Sequence, residues 1–308
     1  MASGNAEILN DFPPFFKVYK DGRIERYMVM DPVPPGTDPK TGIHTKDVAV
    51  SSDVSARIFL PKIDEPDQKL PVLVHYHGGG FCVGSAFDVV SHKLLTYLAT
   101  QAHVLAISVD YRLAPENPLP IAYDDSWAAL QWIAAHSDGR GPEPWLNEHA
   151  DLGRVFLMGE SAGANIAHSV AVRAGVEGLG GAKIIGALMV HPFFGGKEPD
   201  KMYQILCPTS SGGEEDPRLN PGADPNLGRM GCERVKVYVA EKDGLIERGV
   251  GYCETVGKSA WRGRVELVET KGQDHCFHLF NPHSHPDVAT LLASLVDFIS
   301  HPHPHPQG

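Results

Sequence analysis

An α/β protein with a mostly parallel central sheet flanked by helices is the fold class this sequence predicts, on two observations. Short apolar runs alternate with helical stretches along most of the chain, the rhythm that produces strand–helix–strand units. Several of those runs are apolar at nearly every position, as strands covered on both faces must be. No fixed repeat period is present, which sets aside solenoids and propellers.

Taken in chain order, the predicted strands are 54–60 (VSARIFL), 71–76 (PVLVHY), 104–111 (VLAISVDY), 154–159 (RVFLMG), 183–190 (KIIGALMV), 234–240 (RVKVYVA) and 265–269 (VELVE). The predicted helices between and after them are 91–102, 122–137, 161–175, 247–260 and 286–300. Pro286 at the start of the last one fits a first helical position, where no backbone N–H is required. Two stretches break the rhythm and are expected to be irregular. Residues 1–45, with DFPPFFKVYKDGRIERY, form an N-terminal strap or lid, and residues 196–226 are dense in Pro, Gly, Ser and Glu. The main domain is placed at 46–300, and 301–308 at its end is a disordered tail whose alternating His and Pro cannot enter a helix.

Composition narrows the function classes. Apolar residues make up 42% of the chain and charged residues 21%, the proportions of an ordinary globular protein. A formal net charge of -11 opposes nucleic acid and anionic lipid as partners, since both need a basic face. Five cysteines without CxxC spacing cannot complete a disulfide framework and fit a reducing compartment. The N-terminus lacks the basic end and apolar run of a signal peptide, and no stretch approaches the ~18 apolar residues of a membrane span. These features predict a cytoplasmic protein; a monomer or homodimer is expected.

The candidate chemistry starts at Ser161, in GESAG between the 154–159 strand and the 161–175 helix. Gly159 and Gly163 flank it at GxSxG spacing, which permits a sharp turn that lifts the hydroxyl above the end of the sheet. The following helix directs free amides and its positive end at the same place. A second stretch, HGGGF at 77–81, follows the strand 71–76 and bares consecutive amides. Acyl transfer needs such donors for the oxygen of its tetrahedral intermediate. Gly79, Gly80 and Ala162 are the expected donors, with Gly78 shaping the loop. The alternatives for this stretch are a flexible linker or a phosphate loop, and the missing GK[ST] ending argues against the latter.

A base and an acid complete the set. With sixteen histidines in the chain, finding one proves little; chain order discriminates, because nucleophile, acid and histidine follow in that order in hydrolases of this architecture. Asp243 lies just past strand 234–240 and His275 in the loop after 265–269. His275 is preferred over His278 because Gly272, Gln273 and Asp274 read as a loop, whereas CFHLF is apolar and places His278 among satisfied, partly buried side chains. No metal-ligand spacing such as HExxH is present, and neither metal nor cofactor is expected.

Together HGGGF, YRLAPENPLP at 111–120, GESAG, the DGL beginning at Asp243 and DHCFHLF at 274–280 resemble the plant carboxylesterases of the hormone-sensitive lipase family, over nearly the whole chain. The resemblance implies an α/β-hydrolase fold, an N-terminal cap over the site, and a serine carboxylesterase acting on a small-molecule ester. It also implies the roles given to Ser161, Asp243, His275 and the glycine loop, with Arg112 and Glu116 tying loops together. The stretch 197–220 is shorter than the insertion usual in that family, which bears on pocket shape. Two rival functions come with the resemblance. Dehydratases and cyclases, such as those acting on 2-hydroxyisoflavanones, use the same fold for elimination, some with Thr in place of the nucleophile. Hormone receptors of this fold lack the histidine, so His275 argues against a binding module.

Overall fold

The computed structural model describes residues 7–65 and 67–301. The elements, in chain order, are β1 (Ile8–Phe12), β2 (Phe16–Tyr19), β3 (Ile24–Arg26), β4 (His44–Ala49), β5 (Ser55–Leu60), β6 (Leu70–Tyr76), α1 (Val89–Gln101), β7 (Leu105–Asp110), α2 (Ile121–Ala134) and α3 (Pro144–His149). They continue with β8 (Ala150–Glu160), α4 (Ala162–Glu177), β9 (Ile184–Val190), α5 (Lys201–Leu206), β10 (Cys232–Ala240), α6 (Ile246–Lys258), β11 (Arg264–Thr270), α7 (Phe277–Phe280) and α8 (Pro286–Ser300). All seven predicted strands and all five predicted helices are present.

The main sheet runs β11-β10-β9-β8-β6-β7-β5-β4. Its pairs from β11 to β7 are parallel, and β5 and β4 close one edge antiparallel. Alternation along each strand sorts apolar side chains to two cores. Val72, Val74, Val155 and Leu157 join α2, α4 and α6 on one face; Leu73, Phe156 and Met158 join α1, α7 and α8 on the other. From β6 the chain crosses to β7 on one side, and β8 lies on the other. A crevice therefore opens where β6 and β8 end side by side, at the topological switch point.

Two expectations need correction. Residues 8–26 are not irregular: β1, β2 and β3 form a separate antiparallel sheet. Asp21-Gly22 makes the second turn, Gly22 taking a positive φ of 85° that glycine adopts without steric cost. That hairpin signal, between FKVY and IER, was readable. His44, placed in the N-terminal segment, already belongs to β4 in the main sheet. Within 196–226 the helix α5 forms because Asp200 accepts from the Tyr203 amide at 2.9 Å and caps it. Residues 302–308 of the predicted tail lie outside the described residues; His301 itself meets the Asp297 carboxylate at 3.0 Å. All five cysteines are free. Among the described residues no helix is long and apolar enough to cross a membrane.

Candidate active site

Five adjacent parallel strands deliver the candidate site residues at their carboxyl ends. Tyr76 of β6 is level with Gly159 of β8, Glu160 with Val190 of β9, Val190 with Tyr238 of β10, and Ala240 with Thr270 of β11. The residues just beyond these ends are the glycine loop, Ser161, His191, Asp243 and His275.

Ser161 occupies a strained backbone position, φ 53° and ψ -116°, which non-glycine residues adopt only when surrounding structure imposes it. Neighbours do impose it. A Cβ on Gly159 would lie 2.2 Å from the Gly163 carbonyl carbon, and one on Gly163 would lie 1.9 Å from the Tyr76 carbonyl oxygen. Only glycine fits either position, so the sharp turn and the packing of α4 on β6 stand or fall together. A Cβ on Gly78 would come within 2.9 Å of the Glu160 carbonyl oxygen, so the glycine loop runs directly against this turn.

The loop itself is folded so that its carbonyls are used and its amides are not. Gly79 and Gly80 take positive φ, 109° and 59°. The Gly79 carbonyl accepts from the Cys82 and Val83 amides at 3.0 and 2.9 Å. Among the described residues the amides of Gly79 and Gly80 donate to no protein acceptor. Ala162 opens α4, where the helical ladder leaves the first amides unpaired.

Asp243 is buried, and its Oδ2 is 2.7 Å from His275 Nδ1. Its Oδ1 accepts from the Leu245 amide at 2.8 Å. Burial by itself raises the Asp243 pKa, but the hydrogen bond and charge of His275 and the Leu245 amide together hold it below the ordinary carboxylate value. An ionised carboxylate only accepts, so His275 Nδ1 is the donor of this bond, and in the neutral ring the lone pair lies on Nε2. Arg112 grips Asp125 through Nε and Nη2 at 2.9 and 2.7 Å, and Glu116 grips Arg26; both tie loops, away from the reacting groups.

Ser161 and His275 line two adjoining cavities. One, of about 240 Å³, is walled by apolar side chains including Phe15, Met28, Met30, Leu94 and Phe280. The other, of about 490 Å³, is walled by Phe12, Phe81, Phe193, Met202 and Tyr203, with Arg248 contributing a cation. The short 197–220 stretch thus supplies part of the second wall through α5.

His278 corrects one expectation. The chain does turn after His275: Cys276 takes a left-handed φ of 50° and α7 begins. His278 is buried, yet among the described residues neither ring nitrogen has a hydrogen-bond partner, so it is not a satisfied side chain. Burial foremost, with the neighbouring His275, lowers its pKa to about 3.

Two further groups support the site and leave no signal in the sequence. His191, immediately after β9, accepts the Cys276 amide on Nδ1 at 2.9 Å and so pins the residue following His275; burial lowers its pKa to about 3 and keeps it neutral. Beneath the serine turn, Glu160 Oε2 meets His75 Nε2 at 2.9 Å, and His75 Nδ1 meets Ser108 Oγ at 3.0 Å, all buried. Nothing in one dimension joins residues separated by 85 positions, as His191 and Cys276 are. His191, His275 and Cys276 also bring donor atoms within 4.8 Å of one another. His191 is a poor metal ligand there, because a neutral ring whose Nδ1 accepts an amide carries its proton on Nε2.

A family profile for the alpha/beta hydrolase fold matches residues 73–279. The chain is 44% identical over 300 residues to a probable carboxylesterase 2 of Arabidopsis thaliana, covering 92% of this chain and 93% of that one. It is 42% identical over 317 residues to a 2-hydroxyisoflavanone dehydratase of Glycyrrhiza echinata, covering 95% and 96%. A probable mitochondrial carboxylesterase 4 of Arabidopsis thaliana is 41% identical, covering 96% of this chain and 84% of that one. Among solved structures, a thermostable carboxylesterase cloned from a metagenomic library superimposes with a TM-score of 0.69 at 25% identity, covering 88% of this chain and 92% of that one. The chain belongs to the plant carboxylesterases of the α/β-hydrolase family.

Proposed function

We propose that the protein hydrolyses a carboxylic ester of a small molecule through an acyl-enzyme on Ser161. The observation that carries this reading is the meeting of Ser161, the His275–Asp243 pair and the unpaired loop amides at adjoining strand ends. His275 Nε2 takes the Ser161 proton as Oγ attacks the ester carbonyl. Gly79, Gly80 and Ala162 donate to the resulting oxyanion, with Gly78 shaping their loop. The His275 imidazolium then protonates the leaving alcohol, stabilised by Asp243, which stays ionised. Water repeats the sequence, releasing the acid and restoring Ser161. No step calls for a metal or cofactor.

The 240 Å³ apolar cavity suits a short acyl chain, and the 490 Å³ cavity a larger, partly aromatic alcohol. The N-terminal segment, 1–45, acts as a cap, since Pro14, Phe15, Met28 and Met30 wall the smaller cavity. The enzyme works in the cytoplasm as a monomer or homodimer, without nucleic acid or membrane as partner. The dehydratase relative, at 42% identity, favours a second reading in which the same base and oxyanion donors serve an elimination.

Purified protein incubated with p-nitrophenyl acetate, butyrate, octanoate and palmitate, beside a 2-hydroxyisoflavanone, separates the two. Hydrolysis of the short esters without dehydration is expected. Dehydration without ester hydrolysis reverses the reading, and a kcat/KM that climbs steadily to palmitate overturns the short-acyl assignment.

A further inference from the structure

We infer that Arg26, on the N-terminal sheet, is a positioning residue that aims the Gly80 amide at the oxyanion. The inference rests on the esterase reading above. Arg26 Nε donates to the Cys82 carbonyl at 2.6 Å and Nη2 to the Ala114 carbonyl at 3.3 Å. Its two terminal nitrogens also grip Glu116 at 2.7 and 2.6 Å. This fork holds the guanidinium in one orientation, which lysine cannot reproduce.

The consequence follows from peptide geometry. The Cys82 carbonyl and the Val83 N–H belong to one planar unit and point in opposite directions, so fixing the carbonyl fixes the amide. The Val83 amide donates to the Gly79 carbonyl at 2.9 Å. That carbonyl shares its own planar unit with the Gly80 N–H. Two rigid peptides thus run from Arg26 to the donor, and the far side of the Cys82–Val83 unit is held from the cap. Elsewhere in the loop the Gly78 and Phe81 carbonyls are held by His77 Nδ1 at 2.7 Å and the Ala114 amide at 2.9 Å. A second cap contact bears on the same peptide: a Cβ on Gly80 would stand 3.0 Å from the Phe15 ring. The cap therefore does more than wall a cavity; it holds one end of the oxyanion loop.

The test compares parent, Arg26→Ala, Arg26→Lys and Glu116→Gln for kcat and KM on p-nitrophenyl butyrate, affinity for a trifluoromethyl ketone, and Tm. Removing an oxyanion donor costs on the order of 10²-fold or more, and misplacing one costs somewhat less. Arg26→Ala is expected to lower kcat roughly 30- to 100-fold with KM within about threefold, and to weaken the ketone by the same factor as kcat. Arg26→Lys should fall about tenfold and Glu116→Gln less. If Arg26→Ala does not fold, the lysine and Glu116 variants carry the same readings. A kcat within about threefold of parent, a loss confined to KM, or ketone affinity unmoved while kcat falls overturns the inference. A parent that neither hydrolyses esters nor reacts with paraoxon instead overturns the esterase reading.

Discussion

His275 and His278 are three residues apart, and their surroundings could hardly differ more. His275 keeps 34% of its side chain exposed and holds a buried carboxylate at 2.7 Å. His278 is 2% exposed, neither nitrogen has a partner among the described residues, and its ring meets those of His191 and Phe277 edge-on at 5.6 and 5.9 Å. The left-handed turn at Cys276 separates them. Identical rings are suited to different roles according to what surrounds them: a proton carrier needs an anion on one nitrogen and open space at the other, which His275 has and His278 lacks.

The largest expected effect breaks the first member of the pair. His275→Ala should lower ester hydrolysis by about 10⁴-fold or more with the fold retained, because the base, nucleophile and acid act as a unit. Steady-state kinetics beside a melting curve checks this; an active His275→Ala with an inactive, stable His278→Ala would reverse the two roles. Next, Asp243→Asn should cost about 10²- to 10⁴-fold in kcat, since the amide no longer selects the Nδ1–H tautomer. Loss of activity in Glu241→Gln or Asp274→Asn, with Asp243→Asn intact, would name another acid.

The second member should answer in stability. His278→Ala empties a buried site and should lower Tm, with kcat within about tenfold of parent. The smallest effect is the most specific. His168, His191 and His278 have pKa values lowered by burial to about 4, 3 and 3. An unfolded histidine titrates near 6.5. Below that pH the unfolded chain takes up protons that the folded one refuses, so stability falls as pH drops from about 6.5 toward the folded values, by up to about 1.4 kcal/mol per pH unit for each ring. Asp243, with its lowered pKa, loses its contribution as pH falls through and below the ordinary carboxylate range, so it leaves the slope between pH 7 and 5 unchanged. His278→Leu should therefore flatten the decline of Tm between pH 7 and 5, measured by calorimetry; an unchanged slope would mean that His278 is not buried as a neutral ring.

The sequence announced what depends on local pattern. The buried strands were readable from apolar runs such as KIIGALMV, and so were the places of Ser161, Asp243 and His275 just beyond strand ends, where Asp243 pairs with His275 and Ser161 shares its cavities. Other features depend on contacts between distant segments, and these were not readable. Arg26 reaches Cys82 across 56 positions and His191 reaches Cys276 across 85; neither leaves a periodicity or a spacing behind. The N-terminal sheet falls between these cases. Its strands are short and half-exposed, so their apolar alternation is weak, but Asp21-Gly22 marked the hairpin. Burial of Glu160 against His75 was hidden for another reason: a charged residue beside the nucleophile looks like a surface residue until the fold closes over it.

Ser161 alone among the serines of this chain should be activated as a nucleophile. Paraoxon reacts far faster with a hydroxyl that has both a base and oxyanion donors than with an ordinary one. Intact-protein and peptide mass spectrometry after paraoxon treatment should find a single diethylphosphoryl adduct, on the peptide containing Ser161, and none in His275→Ala over the same time. An adduct on another residue, or an unmodified Ser161 in active protein, would contradict it.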